Sequence, residues 1–478
     1  MVNDDINELD YILSVDIFSE GVDVPEINQV IMLRPTQSPI VFIQQLGRGL
    51  RKAEDKEYVV ILDFIGNYKN NFMIPIALSG DRSYNKDNVR KYVVSGNSLI
   101  PGASTIHFDE ISKERIFNAV DNLKSMKALI KESYTSLKNR LGRIPRLVDF
   151  YENEEIDPMI IIREYKTYHA MLKAMEKKQE IEELSDSETL ILEYLSKTIL
   201  SGVRPQELEL LKMLLEHNEV SIEEFQEDVS EEFGYLLDMD AIQNTIRILQ
   251  GHFHINSAEH QKYAQIDILK VNENKRIQRL NSFVRKLNES EFRKELNDII
   301  SFGLHRYKDK YNQNKNQGVP FVLYEQYSRR DVCFLMDCDK DLSSTMYGMK
   351  KIDDDVFIFV TYHKEKTEDD GKEYIDGKPD YADVFEDNQI FCWDTQIGRG
   401  IDSSYTQDVM KAYRKHLMVK KSDAETTFYY MGQFDIVEVK PAKKLDNKGK
   451  ERDIAKFKVK MRHAVRDDLL QYLESNID

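Results

Sequence analysis

Two arginines three residues apart, Arg48 and Arg51, close the segment Gln44-Gln45-Leu46-Gly47-Arg48-Gly49-Leu50-Arg51. A guanidinium is always charged and offers a planar fork of donors that matches phosphate oxygens. Upstream, Gly21 and Asp23 sit in Phe18-Ser19-Glu20-Gly21-Val22-Asp23-Val24-Pro25; a glycine lets backbone come close to a phosphate. A second chemistry belongs to Phe391-Cys392-Trp393-Asp394-Thr395-Gln396, which contains the chain's one tryptophan. A base taken out of a duplex is held by stacking on aromatic rings and by polar groups on its edge. Trp393 and Asp394 are the candidates for those roles, with Tyr327, Arg329, Arg330 and Tyr405 as additions.

Phosphate contacts of a simpler kind need only clustered cations. Lys440 to Arg462 reads as a basic hairpin, and Lys443, Lys444, Lys448 and Lys450 are its candidates. Arg143 leads a second set with Lys138, Arg140 and Arg146, and Lys275, Arg276, Arg279, Arg285 and Lys286 read as a basic helix. Other constellations are weaker. Glu438-Val439-Lys440 with Pro379-Asp380 imitates a metal-dependent nuclease pattern across a wide gap. His252 and His254 have no cysteine or carboxylate at a convincing ligand spacing, so no metal site is expected.

The elements that must position these residues change character along the chain. Leu9–Ile17, Ile27–Leu33 and Tyr58–Phe64 are short Val- and Ile-rich runs, as in buried parallel strands. Ser38-Pro39 opens a short helix between the last two. Residues 81–108 read as a linker. From 109 to 311 apolar residues recur at three- and four-residue steps, as in SETLILEYLSKTIL and QELELLKMLLE, which suggests helical bundles with winged-helix elements among them. From 312 to 478 the period shortens: VPFVLY, DVCFLM, DVFIFVTY, NQIFCW, TTFYYMG, FDIVEVK and IAKFKVKM read as strands of a curled sheet or barrel, closed by a short C-terminal helix.

The 478 residues carry a net charge of −17, which argues against a protein coated all over by nucleic acid but leaves room for local cationic stripes. Three cysteines form neither a disulfide framework nor a CxxC pair, and no apolar run approaches a membrane span. A cytoplasmic protein without a membrane partner is expected.

The Gln44–Arg51 segment resembles motif VI of superfamily 2 helicases, QxxGRxxR, and Phe18–Pro25 resembles motif V. That resemblance implies that residues 1–80 are part of a second RecA-like lobe. It also implies that Gly21, Asp23, Gln44, Gly47, Arg48 and Arg51 face nucleotide, with Arg51 as arginine finger and Arg48 assisting. No GxxxxGK[ST] loop, DExH box or HxKxxxxD nuclease motif occurs. ATP with Mg2+ would therefore bind only with a first lobe, and a fragment of a larger motor is expected. VDIFSEGVDVP, FIQQLGRGLRK, YTSLKNRLGRIPRLVDF, YSRRDVCFLM, FCWDTQ and TTFYYMG are similar to SauUSI-type modification-dependent restriction enzymes. The likeness implies partners: double-stranded DNA carrying 5-methyl- or 5-hydroxymethylcytosine, and an N-terminal nuclease and first helicase lobe. The fold class expected is α/β, then α, then mainly β: a partial helicase lobe (1–80), a helical coupler (109–311) and a barrel-like DNA-recognition domain (312–478). A repair or remodelling helicase without base-modification selectivity, or a non-catalytic DNA-binding fragment, are the alternatives.

Overall fold

The computed structural model describes residues 27–33, 56–64, 108–121, 126–153, 155–177, 180–312, 319–363, 383–422, 425–446 and 449–474, with a few isolated positions before 108. The chain divides into two compact units, Met1–Ile160 (with the last four residues) and Ile161–Glu474.

In the first unit β1 (Gln29–Met32) and β2 (Val60–Asp63) pair in parallel, as their Val- and Ile-rich sequences predict. Helices α1 (Glu110–Asp121) and α2 (Met126–Leu141) follow, then α3 (Leu147–Glu152). On α2 the buried Ile130, Tyr134 and Leu137 lie three and four residues apart, on one face. The unit boundary falls within α4 (Pro158–Tyr165).

The second unit begins with α5 (Tyr168–Met175) and α6 (Asp186–Thr198), the latter opened by a reciprocal cap between Ser185 and Glu188. Next come α7 (Gln206–Glu216), β3 (Glu219–Val220), α8 (Ile222–Phe233), α9 (Met239–Leu249), α10 (Ser257–Tyr263), β4 (Leu269–Val271) and β5 (Ile277–Arg279). The three strands form an antiparallel sheet in the order β3-β5-β4. Apart from the added α10, this is the order of a winged helix, with α9 in the place of the groove-reading helix. The basic run from Lys275 is mostly not helical. Arg279 ends β5, and only Arg285 and Lys286 lie on α11 (Asn281–Lys286). The long α12 (Ser290–Arg306) closes this part and continues into a π turn, Tyr307–Tyr311.

β6 (Gln326–Tyr327) and α13 (Arg329–Leu335) lead into the large sheet. DVCFLM is thus helical, contrary to its strand-like reading. Ser328 and Asp331 cap each other's backbone, and Val332, Cys333, Phe334 and Leu335 are all buried. A short helix buried on every side shows no period, so composition alone makes it look like a strand. VPFVLY is likewise not a regular strand. The sheet contains β7 (Met349–Ile352), β8 (Asp355–His363), β9 (Val384–Phe385), β10 (Ile390–Asp394), β11 (Arg414–Ser422), β12 (Phe428–Leu445) and β13 (Glu451–Met461). Its order is β7-β8-β11-β12-β13-β10-β9, with β6 added beside β12. Only β8 and β11 run parallel within it.

Among the described residues the edge strands β7 and β9 do not pair, so the sheet is open and mixed rather than barrel-like. Helices make closure unnecessary. α14 (Ser404–Lys411) and α15 (Asp467–Glu474) bring Val409, Leu469 and Leu473 onto one apolar face with Phe391, Trp393, Phe457 and Val459. On the opposite face of β8, β11 and β12, Phe321, Tyr327, Phe357, His416 and Tyr430 form an aromatic cluster. No helix among the described residues is long and apolar enough to cross a membrane.

Candidate nucleic-acid interface

The β12–β13 hairpin derives its chemistry from alternation. In β13 the run Lys456-Phe457-Lys458-Val459-Lys460 has the period of two that sends neighbours to opposite faces of a sheet. Phe457 and Val459 are 2% exposed and belong to the core, so the three lysines share the outer face. Cross-strand pairing fixes what lies beside them. Lys456, Lys458 and Lys460 oppose Lys440, Glu438 and Asp435 of β12, and Asp394, Cys392 and Ile390 of β10. Toward the hairpin end Lys444 opposite Arg452 extends the same face. Alternate positions along a strand are about 7 Å apart, so the row spans roughly 14 Å.

The acids on this face neutralise some cations and not others. Glu386 bonds Lys458 at 2.6 Å, which lowers the carboxyl and raises the ammonium pKa. Glu438 pairs with Lys440 at 2.8 Å, and Asp435 with Arg462 at 2.9 Å. Lys456 and Lys460 are exposed and form no ion pair among the described residues. Cys392, between Glu386 and Lys458, has its thiol pushed up to about 11 by burial first and by Glu386 next. It is therefore a protonated neutral side chain there, not a nucleophile. The arrangement can attract a polyanion and can neutralise phosphates one by one.

Most of the residues singled out for base reading sit elsewhere. Trp393 is 4% exposed, with ring centroids 5.1 Å from Phe457 and 6.5 Å from Tyr405. Tyr405 carries a buried hydroxyl without a hydrogen-bond partner among the described residues. Asp394 is on the cationic face, half-buried beside Lys456. Tyr327 is 0% exposed, and its hydroxyl accepts from the Val322 amide at 2.9 Å. Arg329 lies over Tyr347, Phe359 and Phe428, at 4.9, 5.7 and 5.1 Å from their centroids. Arg330 pairs with the buried Asp341 at 2.8 Å and lies over Phe253. In this arrangement Tyr327 and Trp393 are core rings, and Arg330 is held by a buried carboxylate.

The phosphate candidates divide in the same way. Arg143 makes two 2.7 Å bonds to Asp149, whose carboxylate also accepts from the Arg146 amide at the start of α3, so its fork is occupied locally. Lys443 pairs with Glu451 at 3.3 Å. Lys450 is exposed at the turn, Lys444 is half-buried, and Lys448 lies outside the described residues. Glu438 and Lys440 pair on the open face, while Asp380 also falls outside. So do Gly21, Asp23, Gln44, Gly47, Arg48 and Arg51. The segment read as a basic hairpin is formed by β12 and β13, and Lys443, Lys444 and Lys450 lie toward its turn. The KxKxK alternation of β13 was the available signal for Lys456, Lys458 and Lys460.

The winged helix presents a different surface. Asn244 and Arg247 of α9 are engaged by residues 337–339: Asn244 donates to Asp337 at 3.2 Å, and Arg247 pairs with Asp339 at 2.7 Å. On α8, Glu223, Glu224, Glu227, Glu231 and Glu232 are exposed. In the wing, Arg276 is held by Glu219 at 2.9 Å and Glu224 at 3.0 Å. Arg279 bonds the Asn218 side chain at 2.6 Å, and Lys286 pairs with Asp267 at 3.2 Å.

Comparison with known proteins places these regions. Residues 3–53 match the model of the helicase conserved C-terminal domain. Residues 130–311 and 321–473 match two models described as domains of unknown function, DUF8090 and DUF3427. The chain is 38% identical over 76 residues to "Putative ATP-dependent helicase IRC3" of Saccharomyces cerevisiae, covering 16% of this chain and 11% of that protein. It is 40% identical over 50 residues to "Putative ATP-dependent RNA helicase MJ1505" of Methanocaldococcus jannaschii, covering 10% of this chain and 6% of that protein. The chain thus spans about a tenth or less of these relatives' lengths. Among solved structures, the sulfur-binding and SRA domains of ScoMcrA with phosphorothioated DNA align over 60% of this chain and 90% of that one. With a TM-score of 0.20 and 12% identity, that alignment is too weak to define a shared fold. The segment before residue 54 is therefore related to the C-terminal domain of superfamily 2 helicases, and it is followed by two regions whose families have no function assigned.

Proposed function

We propose that this chain is the motor-closing and DNA-engaging portion of an ATP-dependent DNA helicase or translocase, within a restriction enzyme that selects DNA with 5-methyl- or 5-hydroxymethylcytosine. The observation that carries DNA engagement is the row Lys456, Lys458 and Lys460 on an open sheet face, in a chain whose net charge is −17. Such a row has no use in the core of the sheet, and it concentrates positive potential where a phosphate backbone can lie. The match over residues 3–53 supports the motor role, because it spans Gly21, Asp23, Gln44, Gly47, Arg48 and Arg51. ATP with Mg2+ is the cofactor this reading implies. The residues that would meet it are outside the described ones, so the geometry bears on DNA alone. Selectivity for modified cytosine rests on the similarity to SauUSI-type enzymes.

A second reading keeps the DNA-engaging motor without base selectivity. Trp393 favours it, since a ring 4% exposed in the sheet core is not presented to a flipped base. Fluorescence anisotropy with a duplex carrying 5-methylcytosine, and with the same duplex unmodified, tests both across a series of salt concentrations. The first reading expects tighter binding of the modified duplex at every salt. Equal affinities would leave only the second, and no salt-dependent binding of either duplex would remove DNA engagement itself.

A further inference from the structure

Well away in the chain from the cationic hairpin, three ligand-type side chains meet between α5 and α12. His169 is near the start of α5, while Glu291 and Glu295 are one turn apart on α12. One donor atom from each lies within 4.8 Å of the others, and His169 Nδ1 is 3.8 Å from Glu295 Oε1. That separation is too long for a hydrogen bond. The imidazole is 5% exposed as a side chain, and both of its ring nitrogens are buried without a hydrogen-bond partner among the described residues. A buried polar atom without a partner is costly, so native structures rarely leave two on one ring. Glu295 is equally buried. Glu291 is 13% exposed and bonds only its helix neighbour Lys294, at 3.1 Å, among the described residues.

We infer that His169, Glu291 and Glu295 form a binding site for one divalent transition ion of the Zn2+ class, joining α5 to α12. Imidazole disfavours Mg2+ and Ca2+, which take oxygen ligands, whereas one nitrogen and two carboxylate oxygens suit Zn2+. Donors about 2.1 Å from a common tetrahedral ion lie roughly 3.4 Å apart, so side-chain rotations of under an ångström would close the set. Three protein ligands leave a fourth position for water. Bound metal would satisfy one of the two ring nitrogens and balance the charge of the buried carboxylate. It would also stiffen the packing of α5 on the helix that closes the winged-helix part.

The test uses the full chain, stripped with EDTA and titrated with Zn2+ alone by calorimetry, then with Co2+ for its visible spectrum. We expect one equivalent of Zn2+ bound, a raised Tm, and Co2+ bands without thiolate charge transfer. His169→Gln and Glu295→Gln should each weaken Zn2+ binding by more than about tenfold, a loss that removal of even an outer-shell partner can produce. Glu291→Gln, at the most exposed of the three, serves if the buried variants fold poorly. No saturable binding by the wild-type chain would overturn the site. So would unchanged affinity in the variants, or a thiolate band, which would point to Cys333 and Cys338 instead.

Discussion

The winged helix and the β10–β13–β12 face belong to one compact unit, yet they carry surfaces of opposite charge. In the winged helix, the helix that would enter a groove has Asn244 and Arg247 engaged by residues 337–339, and its neighbour α8 displays five exposed glutamates. On the sheet, Lys456 and Lys460 stand exposed beside acids that mostly pair elsewhere. A fold associated with DNA binding is here built to pack against its own chain, while a sheet with no such association offers the cations. Function must be argued from the site and not from the architecture.

The largest expected effect tests the packing half of that contrast. Arg204, 4% exposed, bonds Glu207 as well as Asp337 and the Phe334 carbonyl, both at 2.6 Å, and so ties α7 to the segment that covers α9. Burial opposes its charge, yet Glu207 and Asp337 hold the guanidinium above its usual range. Arg204→Ala leaves Glu207 buried and uncompensated, and should cost about 3–5 kcal/mol in urea unfolding. A loss below about 1 kcal/mol would show that the winged helix is not anchored in this way.

The next effect tests the cationic half. Reversing Lys456, Lys458 and Lys460 to glutamate should flatten the dependence of log affinity on log salt, by about 0.9 for each phosphate that the variant no longer neutralises. Lys275→Glu at the wing should leave the slope nearly unchanged. If the two variants behaved alike, the contrast between the regions would disappear.

The smallest effect separates fold from binding. His416 is stacked on Phe357 at 4.5 Å and bonded to the Tyr430 hydroxyl at 3.0 Å. Burial lowers its pKa, outweighing Asp355, which favours the charged form. The folded state therefore holds the ring neutral, while the unfolded chain takes up a proton below its ordinary pKa of about 6.5. Stability from this group is intact above that pH and falls as the pH drops through it, by at most about 1.4 kcal/mol per unit. Thermal melts from pH 7.5 downward should show that fall, and His416→Phe should reduce it. Because His416 lies in the core and not on the cationic face, DNA affinity of the still-folded chain should hold over the same range.

Much of the architecture was legible where one period persisted. The stripes of α6 and α7, the strands β8, β10 and β13, and the basic hairpin all follow from spacing that a single element satisfies by itself. DVCFLM shows the limit. Its buried residues surround the helix, and the signal lay in the capping pair Ser328 and Asp331, not in the apolar pattern. The burial of the aromatic candidates was hidden for a related reason. Composition identifies Trp393 and Tyr327 as large and apolar with a polar edge, but not which sheet face receives them.

By itself the sequence determined the helicase-type arginine segment, the sign of the charge in each region, and the two-residue alternation that puts three lysines together on one side of β13. Tertiary structure decided which cations stay exposed, because Glu386, Asp435, Asp149 and Asp341 reach their partners only through strand pairing, turns and helix packing. It also decided that His169 meets Glu291 and Glu295 across more than a hundred residues of chain. Local periodicity is written in nearest neighbours along the chain, whereas ion pairs and ligand sets depend on distances that only the packed fold can set.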